Sequence, residues 1–271
     1  MTHPAETFRA LHVPGDPLVM PNIWDRGSAL MLQNLGAKAL ATSSAALAFT
    51  RGKPDGGTLS RDEHLAHAQD ILSVAKVPVQ GDFENGFGDD PDTCAETVRF
   101  AAEVGLAGIC IEDTMFPTGA AYDRTLAVER IRAAVAAARS LPHDFVLTAR
   151  ADGVMTGEYD TDEAIRRLQG FRAVGADCLY APLPPDMGAL RRIIEESGGP
   201  VNVLVAGPFS RYSRDDFAQL GASRLSIGSA LARVTHKAIL DAGQAMLESG
   251  NFNILGSGAD SDIVDPLLSR D

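Results

Sequence analysis

The sequence predicts an α/β fold of the (β/α)8, TIM-type barrel class, and three observations lead there. Eight short apolar runs alternate with amphipathic stretches across the chain, the pattern of a parallel sheet with helical crossovers. No Pro/Gly/Ser-rich linker divides the cycles, and 271 residues at 45% hydrophobic suit one large core. Three of the runs end in acidic or charged residues: Asp82-Phe-Glu84, Glu112-Asp113 and Arg150-Ala-Asp152. Carboxylates delivered at the C-terminal ends of several parallel strands describe the active face of such a barrel.

The elements follow in order. Strands are predicted over 18–24, 37–43, 77–83, 108–112, 145–149, 178–181, 202–206 and 224–227. Asp25 is placed to cap a helix over 25–35. Residues 42–57 read as a loop, and Ser60-Arg-Asp-Glu63 as a capping box opening the next helix. Asp90-Pro91 combines an N-cap with proline at the first helical position. Asp160 opens a helix that Gly175 closes, and Gly105, Gly175 and Gly221 each stand where a C′ glycine precedes the next strand. The eighth helix is predicted over 229–247. The barrel thus occupies about 15–248 of a single domain, with a tail over 249–271 whose role composition leaves open.

Net charge is −12, from 36 acidic and 24 basic residues. That balance argues against nucleic acid and anionic membrane as partners. No apolar run approaches the ~18 residues of a membrane span. Cys94, Cys110 and Cys178 are widely spaced and odd in number, which reads as buried free thiols in a reducing cytoplasm.

Strand alternation brings the polar residues together. Gln80, Asp82 and Glu84 share one face of the third strand, Cys110 and Glu112 one face of the fourth, Thr148 and Arg150 one face of the fifth. Convergent carboxylates in a partly desolvated site repel, and a divalent cation relieves the repulsion. Oxygen donors without a His/Cys cluster point to Mg2+ or Mn2+. The alternative is a salt-bridge network without metal. Arg150 either neutralises these carboxylates or clamps a substrate carboxylate. Small residues at Ser43, Ser44 and Ala45 let backbone N–H groups approach an anionic ligand. Asp55, between Pro54 and two glycines, reads by itself as turn chemistry. Trp24 is placed to wall the pocket or to pack. His64 and His67 read as a packed or solvated helix face, and Cys110 as core filler.

As a set, Pro21-Asn-Ile-Trp-Asp25, Ala41-Thr-Ser-Ser44, Pro54-Asp-Gly56, Gly81-Asp-Phe-Glu-Asn-Gly86, Ile111-Glu-Asp113, Leu147-Thr-Ala-Arg-Ala-Asp152 and Asn202-Val-Leu204 resemble the isocitrate lyase/phosphoenolpyruvate mutase superfamily, over about residues 8–248. The resemblance implies a Mg2+-dependent barrel acting on 2-oxo or 2-hydroxy acids with at least one further acidic group. It makes Asp82 the direct metal ligand, with Asp55, Glu84 and Glu112 completing the coordination mostly through waters. It gives Arg150 a substrate carboxylate to hold, and Trp24, Ser43, Ser44, Ala45 and Asn202 places in the substrate site.

The chain also departs from that pattern. The carbon–carbon lyases carry a Lys/Arg-Cys-Gly-His segment after the fourth strand, and the phosphorus–carbon enzymes a Lys just beyond the Glu-Asp pair. Residues 114–123 here hold no Lys, Cys or His. Tyr122 is then the loop's candidate proton donor. The expected function is a lyase or decarboxylase that binds a 2-oxo (di)carboxylate and stabilises its enolate. The alternatives are phosphonopyruvate-type P–C chemistry and a non-catalytic 2-oxo acid binder. Members of the superfamily commonly exchange the eighth helix between barrels, so a homo-oligomer is expected, a tetramer built as a dimer of dimers.

Overall fold

The computed structural model describes residues 3–269. Its sheet is wholly parallel. The first predicted strand divides at Pro21, which has no N–H to give to a ladder. Its first part, β1 (Leu18–Met20), pairs with the last strand, while its second part, β2 (Asn22–Ile23), pairs with β3 (Leu40–Thr42). Between them the ladder runs through β4 (Val79–Asp82), β5 (Gly108–Glu112), β6 (Val146–Arg150), β7 (Cys178–Tyr180), β8 (Val201–Leu204) and β9 (Arg224–Ser226). Because β1 and β2 are one continuous stretch, this order closes the barrel.

The helices are α1 (Pro4–Ala10), α2 (Arg26–Asn34), α3 (Ser44–Thr50), α4 (Arg61–Leu72), α5 (Pro91–Glu103), α6 (Arg124–Arg139), α7 (Gly153–Thr156), α8 (Thr161–Ala173), α9 (Met187–Glu196), α10 (Arg214–Gln219), α11 (Ala230–Ser249) and α12 (Ser261–Leu267). The expected caps are present. Asp25 accepts from Ser28 N, Ser60 and Glu63 form a reciprocal box, and Asp160 accepts from Glu163 N. Gly105 and Gly175 close their helices at φ of 98° and 104°, values that favour glycine.

Three features differ from expectation. The predicted loop over 42–57 contains α3, where Ser43 caps the amide of Ala46 and an alanine-rich run follows. The tail contains a 3-10 turn over Asn253–Ser257 and α12. An N-terminal helix, α1, packs Ala5 and Phe8 with Leu18, Met20, Ala41 and Val146. Leu18 and Val146 open their strands, so α1 closes the end of the barrel opposite the carboxylates. The main core lies between sheet and helices, with Phe145, Leu147, Ile109, Ile111 and Phe83 facing it.

The eighth helix of the barrel, α11, stands apart. Only Ala232 of its twenty residues is buried, while Val234, Ile239 and Leu240 are 60–67% exposed. On the barrel flank, a groove of about 610 Å3 lies between Val13, Val19, Leu32 and Leu35. Among the described residues no helix is long and apolar enough to cross a membrane.

Candidate active site

Strand alternation places Gln80 and Asp82 inward, and the mouth of the barrel is built around Asp82. Its Oδ2 accepts from the Ser44 amide and hydroxyl, both at 2.9 Å, and its Oδ1 from Arg150 Nη1 at 3.1 Å and Cys110 Sγ at 3.3 Å. Thr42 Oγ1 accepts from the Asp82 amide at 2.8 Å. The start of α3 therefore serves Asp82 directly, through Ser44, while Ser43 caps the helix. Burial works to raise the Asp82 carboxyl, but Arg150 and Ser44 outweigh it and hold it below its ordinary range.

Arg150 is bound on all sides by carboxylates. Nε donates to Asp152 Oδ1 at 2.9 Å and Nη2 to Asp152 Oδ2, while Nη2 also reaches Glu112 Oε2 at 2.9 Å. Asp113 secures this clamp from behind. Its Oδ1 accepts from the Asp152 amide at 2.8 Å, and its Oδ2 from Tyr159 and Arg167. Burial drives the Glu112 carboxyl well above its ordinary range despite Arg150.

Glu84 sits at φ 46° and accepts from the Gly57 amide at 3.1 Å. Its carboxyl is pushed up to about 7, first by burial, with Asp82 and Asp55 adding to the rise against the Gly57 amide. Asp55 lies on the exposed turn above the mouth, and burial followed by Asp82 raises its carboxyl. Asp82 thus affects both neighbours.

A cavity of about 140 Å3 runs inward from this mouth, bounded by Ser44, Asp55, Asp82 and Arg150 above and by Gln80, Asn202 and Arg224 below. Ser43 and Ala45 also line it. Asn202 is buried, donating to Ser226 Oγ and accepting from Arg224 Nε.

Four expected members fall outside the lining: Glu84 and Glu112, whose carboxyls interact with Asp82 from beyond it, and Trp24 and Tyr122. Trp24 does not line the cavity; its carbonyl accepts from His67 Nε2 at 2.9 Å. Tyr122 turns away from the mouth, donating to Asp89 and accepting from Asn85 Nδ2, with the Arg130 guanidinium 3.9 Å from its ring centre. Burial and Asp89 push its phenol up, so it holds its proton more tightly than a free tyrosine. That placement corrects the reading of Tyr122 as the proton donor. His64 and His67 are packed into the barrel side of α4, as expected, and Cys110 is buried beside Asp82, its thiol pushed up by burial.

Asp152 stands beside Arg150 in the sequence with no role assigned to it there, although the two-residue spacing is the signal that pairs them. Arg224 and Tyr180 carried no motif.

Among the described residues, no three Asp, Glu, His or Cys side chains converge tightly enough to share an ion as they stand. The donor set nonetheless fits a hard cation. It is all oxygen, and Asp82 adds to the rise that burial imposes on the Asp55 and Glu84 carboxyls.

The family model described as phosphoenolpyruvate phosphomutase matches residues 8–247. The chain belongs to the phosphoenolpyruvate phosphomutase family. The family's barrel is shared with the crystal structure of a candidate lyase/mutase from Burkholderia cenocepacia J2315, at 42% identity and a TM-score of 0.93 over 98% of this chain and 95% of that one. An uncharacterized protein of Mycobacterium tuberculosis is 34% identical, with 82% of each chain covered. The 2-methylisocitrate lyase of Shewanella oneidensis is 27% identical, with 97% of each covered. This chain is thus similar both to a mutase family and to a lyase.

Proposed function

We propose that this protein is a lyase that uses a divalent cation, Mg2+ or Mn2+, to bind a 2-oxo acid and to stabilise its enolate during carbon–carbon cleavage. The observation that carries the reading is Asp82, an ionised carboxylate fixed by Ser44 at the cavity mouth, with Asp55 in the same lining and Glu84 and Glu112 just outside it. Asp82 would hold the ion directly, with Asp55, Glu84 and Glu112 around it through water. The cation supplies Lewis-acid stabilisation of developing negative charge on the keto oxygen.

The chain's own groups supply binding and orientation. Arg150 is the fixed positive charge nearest Asp82, and Asp152 and Asp113 set its direction. In the structure its Nη1 is spent on Asp82 Oδ1, so neutralising Asp82 frees that donor for a substrate carboxylate. Binding of cation and substrate is coupled through this one hydrogen bond. The similarity to 2-methylisocitrate lyase over nearly the full chain supports carbon–carbon chemistry. A second reading, phosphorus–carbon chemistry, draws on the matching family model, but residues 114–123 contain no lysine.

Turnover of oxaloacetate, 2-methylisocitrate and phosphonopyruvate with and without Mg2+ tests the reading. Metal-dependent cleavage of a carbon–carbon substrate is expected. Turnover confined to phosphonopyruvate favours the second reading, and no turnover with retained 2-oxo acid binding leaves a binder rather than an enzyme.

A further inference from the structure

The barrel holds a second buried guanidinium that the reading above leaves unused. Arg224, at the start of β9, is 1% exposed. It continues a row of register partners across four strands: Arg150 opposite Tyr180, Tyr180 opposite Asn202, Asn202 opposite Arg224. Its hydrogen bonds reach one layer deeper than the mouth. Nη1 donates to Gln80 Oε1 at 2.6 Å and to His12 Nε2 at 3.0 Å, Nε to Asn202 Oδ1 at 2.8 Å, and Nη2 to Thr148 Oγ1 at 3.3 Å. Gln80 and Thr148 lie two residues before Asp82 and Arg150 in the same strands, hence one inward step toward the floor.

Every one of these partners is neutral. His12 is held uncharged, because burial and then Arg224 push its pKa down to about 3. Below, the Phe8 ring lies 6.0 Å from the guanidinium carbon. A cation withdrawn from water without a counter-ion is costly. Nη2 has a single long bond for its two hydrogens. The same side chain lines the floor of the 140 Å3 cavity whose mouth holds Asp82, Ser44 and Arg150.

We propose that Arg224 is the seat for the second carboxylate of a short 2-oxo dicarboxylate, bound with its 2-oxo acid end at the mouth and its far end directed down the barrel. The inference rests on the reading of the mouth as a 2-oxo acid site and adds the residue that holds the substrate's far carboxylate. The cavity holds the volume of about four or five waters, the scale of a four-carbon diacid. A guanidinium stabilises a carboxylate over its uncharged product, so the carboxylate seated on Arg224 is retained by the substrate rather than lost as CO2.

The test compares diacids with the mono-acids that lack only the far carboxylate: oxaloacetate against pyruvate, and 2-oxoglutarate against 2-oxobutyrate, by calorimetry with Mg2+. Wild type is expected to favour each diacid at least tenfold. Arg224→Met should remove the preference. Gln80→Glu guards against a folding defect, since it leaves Arg224 in place and gives it an internal counter-ion. With its thermal midpoint at or above that of wild type, it too should bring the ratio near one. A wild type that binds both acids equally, or a Gln80→Glu protein that keeps the full ratio, overturns the seat while leaving the mouth intact. A wild type that binds neither mono-acid nor diacid overturns the 2-oxo acid reading and the seat with it.

Discussion

Arg150 and Asp152, two residues apart at the end of β6, form a two-point ion pair: Nε donates to Oδ1 at 2.9 Å and Nη2 to Oδ2. The pair fixes the plane of the guanidinium, leaving Nη1 and the second Nη2 hydrogen to face Asp82 and Glu112. Asp152 is buried and its amide is held in turn by Asp113, so the orientation of the Arg150 guanidinium is set from behind, by groups that do not line the cavity.

This arrangement makes Asp152 a positioning residue. Asp152→Asn keeps the volume but offers only one acceptor oxygen to a fork that now uses two. The expected loss in 2-oxo acid affinity is about 1–3 kcal/mol, with Mg2+ affinity changed less because Asp82 itself is untouched. Calorimetric titrations of metal and of ligand separate the two. Unaltered ligand affinity would show that Arg150 is oriented by Glu112 and Asp82 alone.

Asp82 carries the metal prediction. Saturating Mg2+ at about a hundredfold over its Kd should stabilise wild type by about 2.7 kcal/mol, and the increment should vanish in Asp82→Ala. Chelation of the wild type should then reduce 2-oxo acid binding, because Arg150 Nη1 returns to Asp82. An Asp82→Ala protein that is still stabilised by Mg2+ to the wild-type extent sinks Asp82 as the direct ligand.

His12 gives the protein a pH dependence that can be worked out in sign. Its Nδ1 donates to Phe8 O at 2.8 Å and its Nε2 accepts from Arg224, a set that only the neutral ring can make. Arg224 and Arg9 both disfavour its charge. With the folded pKa pushed down to about 3 and the unfolded value near 6.5, the unfolded chain binds the extra proton first. The contribution is therefore intact above about pH 6.5 and is lost as pH falls, by about 1.4 kcal/mol per pH unit. His12→Gln keeps an acceptor for Arg224 without ionising. Denaturant unfolding at pH 7 and pH 5 should show wild type losing more stability than the variant; parallel losses would contradict a buried neutral His12.

Period-two alternation made the barrel and the Asp82 face legible in sequence, because a strand's inward residues are fixed by its pleat. Caps at Asp25, Ser60 and Asp160 were equally local. What could not be read depended on distant partners. Tyr122 points away from the mouth because Asn85, Asp89 and Arg130 gather around it from other loops and a helix. α3 escaped notice because glycines and Pro54 just beyond it dominate the composition of residues 42–57. The Arg224 layer joins His12 to β4, β6 and β8, and no local pattern connects residues so far apart in the chain.

The last prediction concerns assembly. α11 presents Val234, Ile239 and Leu240 to solvent, and the flank of the same barrel leaves a groove between Val19, Leu32 and Leu35. We propose that α11 of one chain fills this groove on a second chain and that two such dimers form a tetramer. Burying a side chain of this size from water contributes about 1.5–3 kcal/mol, and because these three point to different sides of the helix, one or two of them per helix, exchanged reciprocally, favour association. Light scattering should give four times the 28.6 kDa chain mass. Ile239→Asp combined with Leu240→Asp places two charges in the contact and should dissociate the wild-type assembly toward monomers. A monomeric wild type at micromolar concentration refutes the exchange. A wild-type dimer that the double substitution splits keeps the exchanged helix and removes only the tetramer.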